Sequence, residues 1–326
     1  MKKSLYRQAL SHSWRLAWQH KELWIFGLFA AVLGQMGILE LLSKVTFASK
    51  KYAAIENVNP SHALKQIFFG LKDLPWNIEV GLLFIWLVVI LVGLAIFGVF
   101  VSIASQGAII HSAAQSVKKK KLPDTSKAWH AGVDHFWRLL SLNIAKKIVI
   151  TALAVIVSVA TINVLHTGGT WDIIAFFILF VLSMIIGLVV SFVVIYAAGY
   201  VVVEEYSFAD SLRSAWRLFL DHWLVSIEVG LIIFALNSVL LLVLLAGLFT
   251  LLLHSVLLIG ITLSTGILGL FNAGLFVEFI VFAGFILFVA SVFTVFSTSA
   301  WTYLFMKMHK HGIKSHIVNI FHGKKK

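Results

Sequence analysis

Few side chains in this sequence combine a titratable group with an apolar setting, and Glu228 is the clearest of them. It lies about six residues into a long apolar segment, where a carboxylate costs roughly 2.5–3.5 kcal/mol at the centre of a membrane helix. Such a group suits proton or ion coupling. Alternatively, it lies near the membrane surface and meets water or a basic side chain such as Lys146. Asn237 follows about half a helical turn round, so the two do not form one polar track.

Two rows of small and hydroxyl side chains have helical spacing. One row is Ser183, Gly187 and Ser191, and the other is Ser291, Thr294, Thr298 and Thr302. Rows of this kind line pores, but small residues at such intervals more often let helix backbones approach closely. Packing is therefore the favoured interpretation, with a polar path near Glu228 and the second row as the alternative.

Acidic and histidine side chains give two further patterns. Four carboxylates fall near the predicted outer ends of membrane crossings, either as a cation-attracting ring or as ordinary solvated helix ends: Glu40, Glu79, Asp172 and Glu278. The C-terminal tail, 307–326, carries four histidines among lysines: His309, His311, His316 and His322. Their spacing matches no zinc pattern, so the tail is predicted to be a basic amphipathic helix.

Catalytic motifs are missing from the sequence. It has no phosphate-binding loop, no HExxH pair, no nucleophile elbow and no cysteine. We therefore predict no catalytic residue, no cofactor and no metal ligand, and expect a protein that is not an enzyme.

Composition decides the class of protein. Of the 326 residues, 60% are hydrophobic and 12% charged, whereas soluble domains average about 45–50% and about 25%. So much apolar surface cannot fit inside one soluble core, and the sequence predicts an all-α integral membrane protein. The net charge of +12 fits anionic headgroups and membrane orientation better than nucleic acid, which we exclude as a partner.

Six segments are long enough to cross a bilayer: about 22–42, 79–112, 147–165, 172–203, 223–253 and 273–306. The apolar stretch 254–272 is left open as a seventh crossing, a re-entrant turn or a loop. With six crossings and a cytoplasmic N-terminus, all but five of the 26 basic residues lie inside. We therefore expect a bacterial-type cytoplasmic (inner) membrane, with both termini in the cytoplasm.

A repeated pattern is the strongest internal signal. Three stretches each carry an aromatic residue followed eight residues later by Trp-Arg-Leu: Tyr6–His20, Trp129–Asn143 and Phe208–His222. Each is predicted to form an interfacial amphipathic helix before a transmembrane hairpin, which gives one membrane domain, 1–326, with repeat units 4–112, 126–203 and 205–306. The predicted lipid contacts are Trp14, Arg15, Trp137, Arg138, Trp216 and Arg217. A motif common to any membrane-surface helix is the alternative.

Two segments of this pattern carry a family resemblance: Ala215–Gly230 and its N-terminal counterpart, Ser13–Gly27. They resemble the membrane domain associated with glycerophosphodiester phosphodiesterases and related stand-alone six-helix bacterial membrane proteins. The catalytic activity of that family lies in a separate soluble domain that this chain lacks, so the resemblance supplies no catalytic residue. It implies a role in envelope or lipid homeostasis.

The expected function is to organise membrane lipids or partner proteins. Anionic lipids are the expected partners, and a membrane-protein partner or a homo-oligomer is left open. The alternative is a small-solute or ion transporter.

Overall fold

In the computed structural model, residues 5–31, 78–119, 124–266 and 268–311 are described, and every regular element in these ranges is an α-helix. The helices, in chain order, are α1 Leu5–Gln19, α2 Leu23–Ala30, α3 Ile78–Lys119, α4 Thr125–Asp134, α5 Phe136–Thr167, α6 Thr170–Val203, α7 Phe208–Thr265 and α8 Leu268–His311. Five of them, α3 and α5 to α8, are long and apolar enough to cross a bilayer. The chain is a multi-pass membrane protein.

The predicted crossings agree in part with these helices. The second, third, fourth and sixth lie within α3, α5, α6 and α8. The first, 22–42, is described only as far as residue 31, and its remainder lies outside the described residues, as do Glu40 and the tail beyond His311.

The five long helices divide into two ends with opposite surfaces. At one end, which we call the packed end, the segments 101–116, 192–202 and 301–308 are largely buried. At the other, the apolar end, large hydrophobic side chains are exposed along 82–99, 148–165 and 171–188. Exposed apolar surface on this scale requires a non-aqueous environment, so the hydrocarbon core covers the apolar end.

The boundary between the two ends is marked by Phe192, Gly230 and Trp301, which we call the Phe192 layer. The Phe192 ring lies 5.4 Å from the Trp301 ring, and a Cβ on Gly230 would stand 2.8 Å from Phe192 Cζ. At 1.5 Å per residue, α6 extends about 33 Å from this layer, whereas α7 extends about 52 Å. The α7–α8 hairpin therefore projects about 20 Å beyond the α5–α6 turn.

Most of the stretch 254–272 belongs to the two helices of this long hairpin. Helix α7 continues past the predicted limit of 253 to Thr265, and Gly266 then adopts the left-handed φ of 70° that glycine tolerates without strain. Helix α8 begins at Leu268. The fifth predicted crossing is thus longer than its sequence limits, and 254–272 forms the end of the same hairpin.

Helix backbones approach closely at two glycines of the short helices α4 and α2. A Cβ on Gly132 of α4 would stand 2.0 Å from the carbonyl oxygen of Ala104 in α3. A Cβ on Gly27 of α2 would stand 2.3 Å from the carbonyl oxygen of Ser291 in α8. Each short helix is therefore in close contact with a long helix.

The interfacial segments break at histidines. In the first, α1 ends at Gln19 beside His20, and in the third the backbone of His222 leaves helical geometry (φ −132°, ψ 26°). In the middle segment the break is at His135, whose Nδ1 bonds to the Ala131 carbonyl at 2.7 Å. The prediction of one continuous helix over Trp129–Asn143 is therefore wrong, because Trp137 lies after this break and belongs to α5.

The glycine contacts predict a pair of opposite effects. Gly132→Ala is expected to destabilise the protein by about 1–3 kcal/mol, because its methyl group overlaps a backbone carbonyl. Gly98→Ala in α3, where nothing lies within 4 Å of the new Cβ, is expected to be neutral or to stabilise by up to about 1 kcal/mol. Unfolding temperatures in one detergent compare the two variants, and equal shifts would contradict the close contact.

Candidate functional site

The three Trp-Arg-Leu triplets share one arrangement at the packed end. The Trp side chains are 56%, 76% and 47% exposed at Trp14, Trp137 and Trp216, whereas Leu16, Leu139 and Leu218 are 4%, 0% and 7% exposed. Arg15, Arg138 and Arg217 are all exposed. In each triplet the leucine is therefore packed inside the bundle, while the indole and the guanidinium face outward. Indoles favour the membrane–water interface, and cations favour anionic headgroups.

Arg138 also has a structural contact. Its Nη1 donates to the backbone carbonyls of Glu205 at 3.0 Å and Tyr206 at 3.4 Å, in the turn between α6 and α7. Glu205 has a positive φ of 57°, and these bonds hold that turn. Arg15 and Arg217 are therefore better probes of lipid contact than Arg138.

The predicted hydroxyl row on α8 is divided between different surroundings. Ser291 Oγ donates to the Trp24 carbonyl of α2. Thr294 is buried, and its Oγ1 has no hydrogen-bond partner among the described residues. Thr298 lines a small cavity, and Thr302 Oγ1 donates back to the Thr298 carbonyl at 2.8 Å. The row therefore serves helix packing at Ser291 and faces a cavity at Thr298.

That cavity, which we call the central cavity, has a volume of about 150 Å³ and lies among α3, α5, α6, α7 and α8. Its polar lining includes Gln106, Asn143, Lys146 and Thr298. Asn143 Nδ2 donates to Gln106 Oε1 at 2.9 Å. A polar, partly enclosed space at the Phe192 layer can hold water.

Glu228 and Asn237 lie at different depths of α7. Glu228 is half-buried and two residues from Gly230, so it lies at the boundary of the two ends and not in mid-membrane. Asn237 lies about 14 Å further than Glu228 into the apolar end, with its Oδ1 buried and without a partner among the described residues. Neither residue lines the central cavity.

Glu278 belongs to a polar cluster that links α7 and α8. It is buried and contacts His254 Nδ1, and it accepts a hydrogen bond from Ser255 Oγ at 2.8 Å. Counting from the Phe192 layer, this cluster is level with the α5–α6 turn. The sequence placed Glu278 near an outer helix end, but His254 and Ser255 are partners that the sequence analysis missed.

A second, larger polar cavity was also missed. It has a volume of about 520 Å³, lies between the ends of α3 and α6 and helix α4, and has eight polar lining residues: His111, Gln115, Lys118, Lys127, His130, Asp134, His135 and Glu205. The i, i+4 spacing of His111 with Gln115 and of His130 with Asp134 was a usable signal. Within the described ranges, no group of three or more His, Cys, Asp or Glu side chains is arranged to hold a metal ion.

Comparisons with protein-family models, with curated proteins and with solved structures found no match for this chain. The functional argument therefore depends on the residues and their geometry.

The environment of His12 predicts a pH effect on stability. Burial, together with the charges of Arg15 and Lys307, lowers the pKa of the His12 imidazole below its ordinary value of 6.5. Its Nε2 is 2.9 Å from Ser116 Oγ, and its ring packs against Tyr303. The unfolded chain therefore takes up this proton first, and the free energy of unfolding falls as the pH drops below about 6.5.

The test compares unfolding temperatures at pH 7.5 and 5.5 for the wild type and His12→Gln. The wild type is expected to lose more stability on acidification than His12→Gln, because glutamine keeps a polar group beside Ser116 without titrating. Parallel pH profiles for the two proteins would contradict the assignment.

Proposed function

We propose that this chain is a non-enzymatic membrane protein that organises anionic lipids at one membrane surface. The observation that carries the proposal is the repeated outward display of Trp and Arg at Trp14–Arg15, Trp137–Arg138 and Trp216–Arg217. Each pair combines a large amphipathic ring with a fixed positive charge at the end of the bundle where the exposed apolar surface stops. Anionic phospholipid is the partner that this combination fits.

The finer architecture belongs to the same proposal. It comprises six crossings, three repeats of an interfacial helix and a hairpin, and a cytoplasmic packed end in a bacterial-type inner membrane. The distribution of basic residues supports this orientation, because the reverse orientation would export 21 of the 26; the clearest are the run at Lys118–Lys121 and the pair Lys146–Lys147. The resemblance to phosphodiesterase-associated membrane domains supports a role in lipid or envelope homeostasis.

The absence of native cysteine allows a direct depth measurement. Spin labels on Trp14→Cys, Trp137→Cys and Trp216→Cys in nanodiscs containing phosphatidylglycerol are expected within about 5–10 Å of the headgroup–acyl boundary. Accessibility to oxygen and to a water-soluble nickel complex gives each depth. Lys127→Cys in the polar cavity is the aqueous control, and Val239→Cys, exposed in the apolar end, is the hydrocarbon control.

The proposal would be contradicted if the labels at all three tryptophan positions were as accessible to the nickel complex as the label on Lys127→Cys. Labels as deep as Val239→Cys would also contradict it, because the triplets would then lie inside the hydrocarbon core.

The central cavity favours a second function, the transport of a small solute or ion. It contains amide, ammonium and hydroxyl groups contributed by three different helices: Gln106, Asn143, Lys146 and Thr298. A transport path would have to continue from this cavity through the apolar end, past Thr294 and toward Glu278.

Thr298→Cys and Thr294→Cys separate the two functions. Under lipid organisation, a small methanethiosulfonate reagent is expected to modify Thr298→Cys, which faces the cavity, and not Thr294→Cys, which is buried outside it. Modification is counted by mass spectrometry of the intact protein in nanodiscs. Reaction at both positions would show that water passes beyond the cavity, and transport would then be the better-supported function.

A further inference from the structure

An apolar groove opens on the side of the bundle at the Phe192 layer. It has a volume of about 560 Å³ and lies between α5, α6 and the first turns of α7. Val149 and Val190 form part of its floor, and Phe208, Leu212 and Trp216 form one wall. A volume of this size is in the range of about 300–1,000 Å³ found for small-molecule sites.

The wall of the groove is an apolar edge of α7 that the bundle leaves uncovered. Phe208, Leu212 and Trp216 follow one another at steps of four residues and therefore form one stripe. They are exposed, whereas Ala215 and Phe219 on the adjoining side of the same helix are buried. Packing within the bundle explains why the buried side of the helix is apolar, but it does not explain why the exposed stripe is apolar.

The charged groups of the groove identify what would fill it. Its lining contains two charged side chains, Lys146 and Arg213, and both are cations. They lie at the level where the exposed apolar surface of α5 and α6 begins. The groove therefore extends from the depth of the lipid acyl chains to the depth of the lipid headgroups. An occupant must therefore be apolar along most of its length and negatively charged at one end.

We propose that this groove binds one anionic phospholipid, with an acyl chain along Val149, Val190 and Leu212 and its phosphate beside Arg213 and Lys146. This inference rests on the proposed function and makes it specific, because it assigns one saturable site in addition to the general surface of the three triplets. The first segment of α7 acts as the retaining wall of that site.

The test uses the full chain in detergent, titrated with phosphatidylglycerol or with phosphatidylcholine of the same acyl chains. Native mass spectrometry counts bound lipids and gives an apparent affinity for the first one. Arg213→Gln is expected to weaken the first phosphatidylglycerol about fivefold, the effect of losing roughly one surface cation, and to leave phosphatidylcholine unchanged. Ala209→Phe, which places a ring in the groove, is expected to abolish tight binding of both lipids.

Two further variants separate the groove from the general lipid surface. Arg217→Gln lies one turn further along α7 and outside the groove lining, so it is expected to weaken the later, looser lipids and not the first. Arg7→Gln, an exposed arginine of α1 outside both sets, is the neutral control. Unfolding temperatures in the absence of lipid confirm that each variant is folded.

Three other outcomes would each contradict the proposed lipid site in the groove. Equal weakening by Arg213→Gln and Arg217→Gln would mean that lipid is held along the surface, so the proposed function would stand without the groove. Unchanged lipid binding in every variant, with all three spin labels in water, would end both proposals. Unchanged lipid binding together with loss of a dimer in Ala209→Phe would assign the groove to a second copy of the chain.

Discussion

Close contacts at Gly132, against the Ala104 carbonyl, and at Gly27, against the Ser291 carbonyl, are the constraint on which the positions of the short helices α4 and α2 depend. A glycine at such a contact lets two helix backbones approach closely enough for direct van der Waals contact. Any side chain at Gly132 would separate α4 from α3 and shift His135, the residue between α4 and α5. The orientation of Trp137, at the start of α5, therefore follows from a contact made on another helix.

Close packing at one end also determines where polar groups can lie. Tyr196 Oη and Ser226 Oγ are 2.7 Å apart in a buried hydrogen bond between α6 and α7, four residues from Phe192 and Gly230 respectively. The Gln106–Asn143 bond joins α3 to α5 near the same level. These polar side chains of the long helices are thus satisfied near the Phe192 layer, while the exposed surface of the apolar end is formed mostly by Leu, Ile, Val and Phe. This separation explains why Glu228 is tolerated where it lies.

Local patterns in the sequence predicted the long membrane helices, because hydropathy is a property of a few neighbouring residues. Other features depend on contacts between segments that are distant in the chain, and local sequence patterns do not predict them. Near the break at His135, Gly132 packs against Ala104 of α3, and the extended part of α7 contacts α8 through His254 and Glu278. The groove combines residues from three helices, so neither Val190 nor Arg213 carries a signal by itself.

The distribution of exposed surface favours lipid over a transported solute. A solute path needs polar groups along its length and a wall that excludes lipid, yet residues 82–97 of α3 are all exposed in the described part of the chain. The central cavity is confined to the Phe192 layer, and Thr294, about 10 Å further on, is buried and does not line it. In the groove, by contrast, the cations Lys146 and Arg213 lie beside the apolar side chains of Val149 and Leu212. A phospholipid carries its phosphate directly beside its apolar chains. One lipid can therefore contact both kinds of group at once.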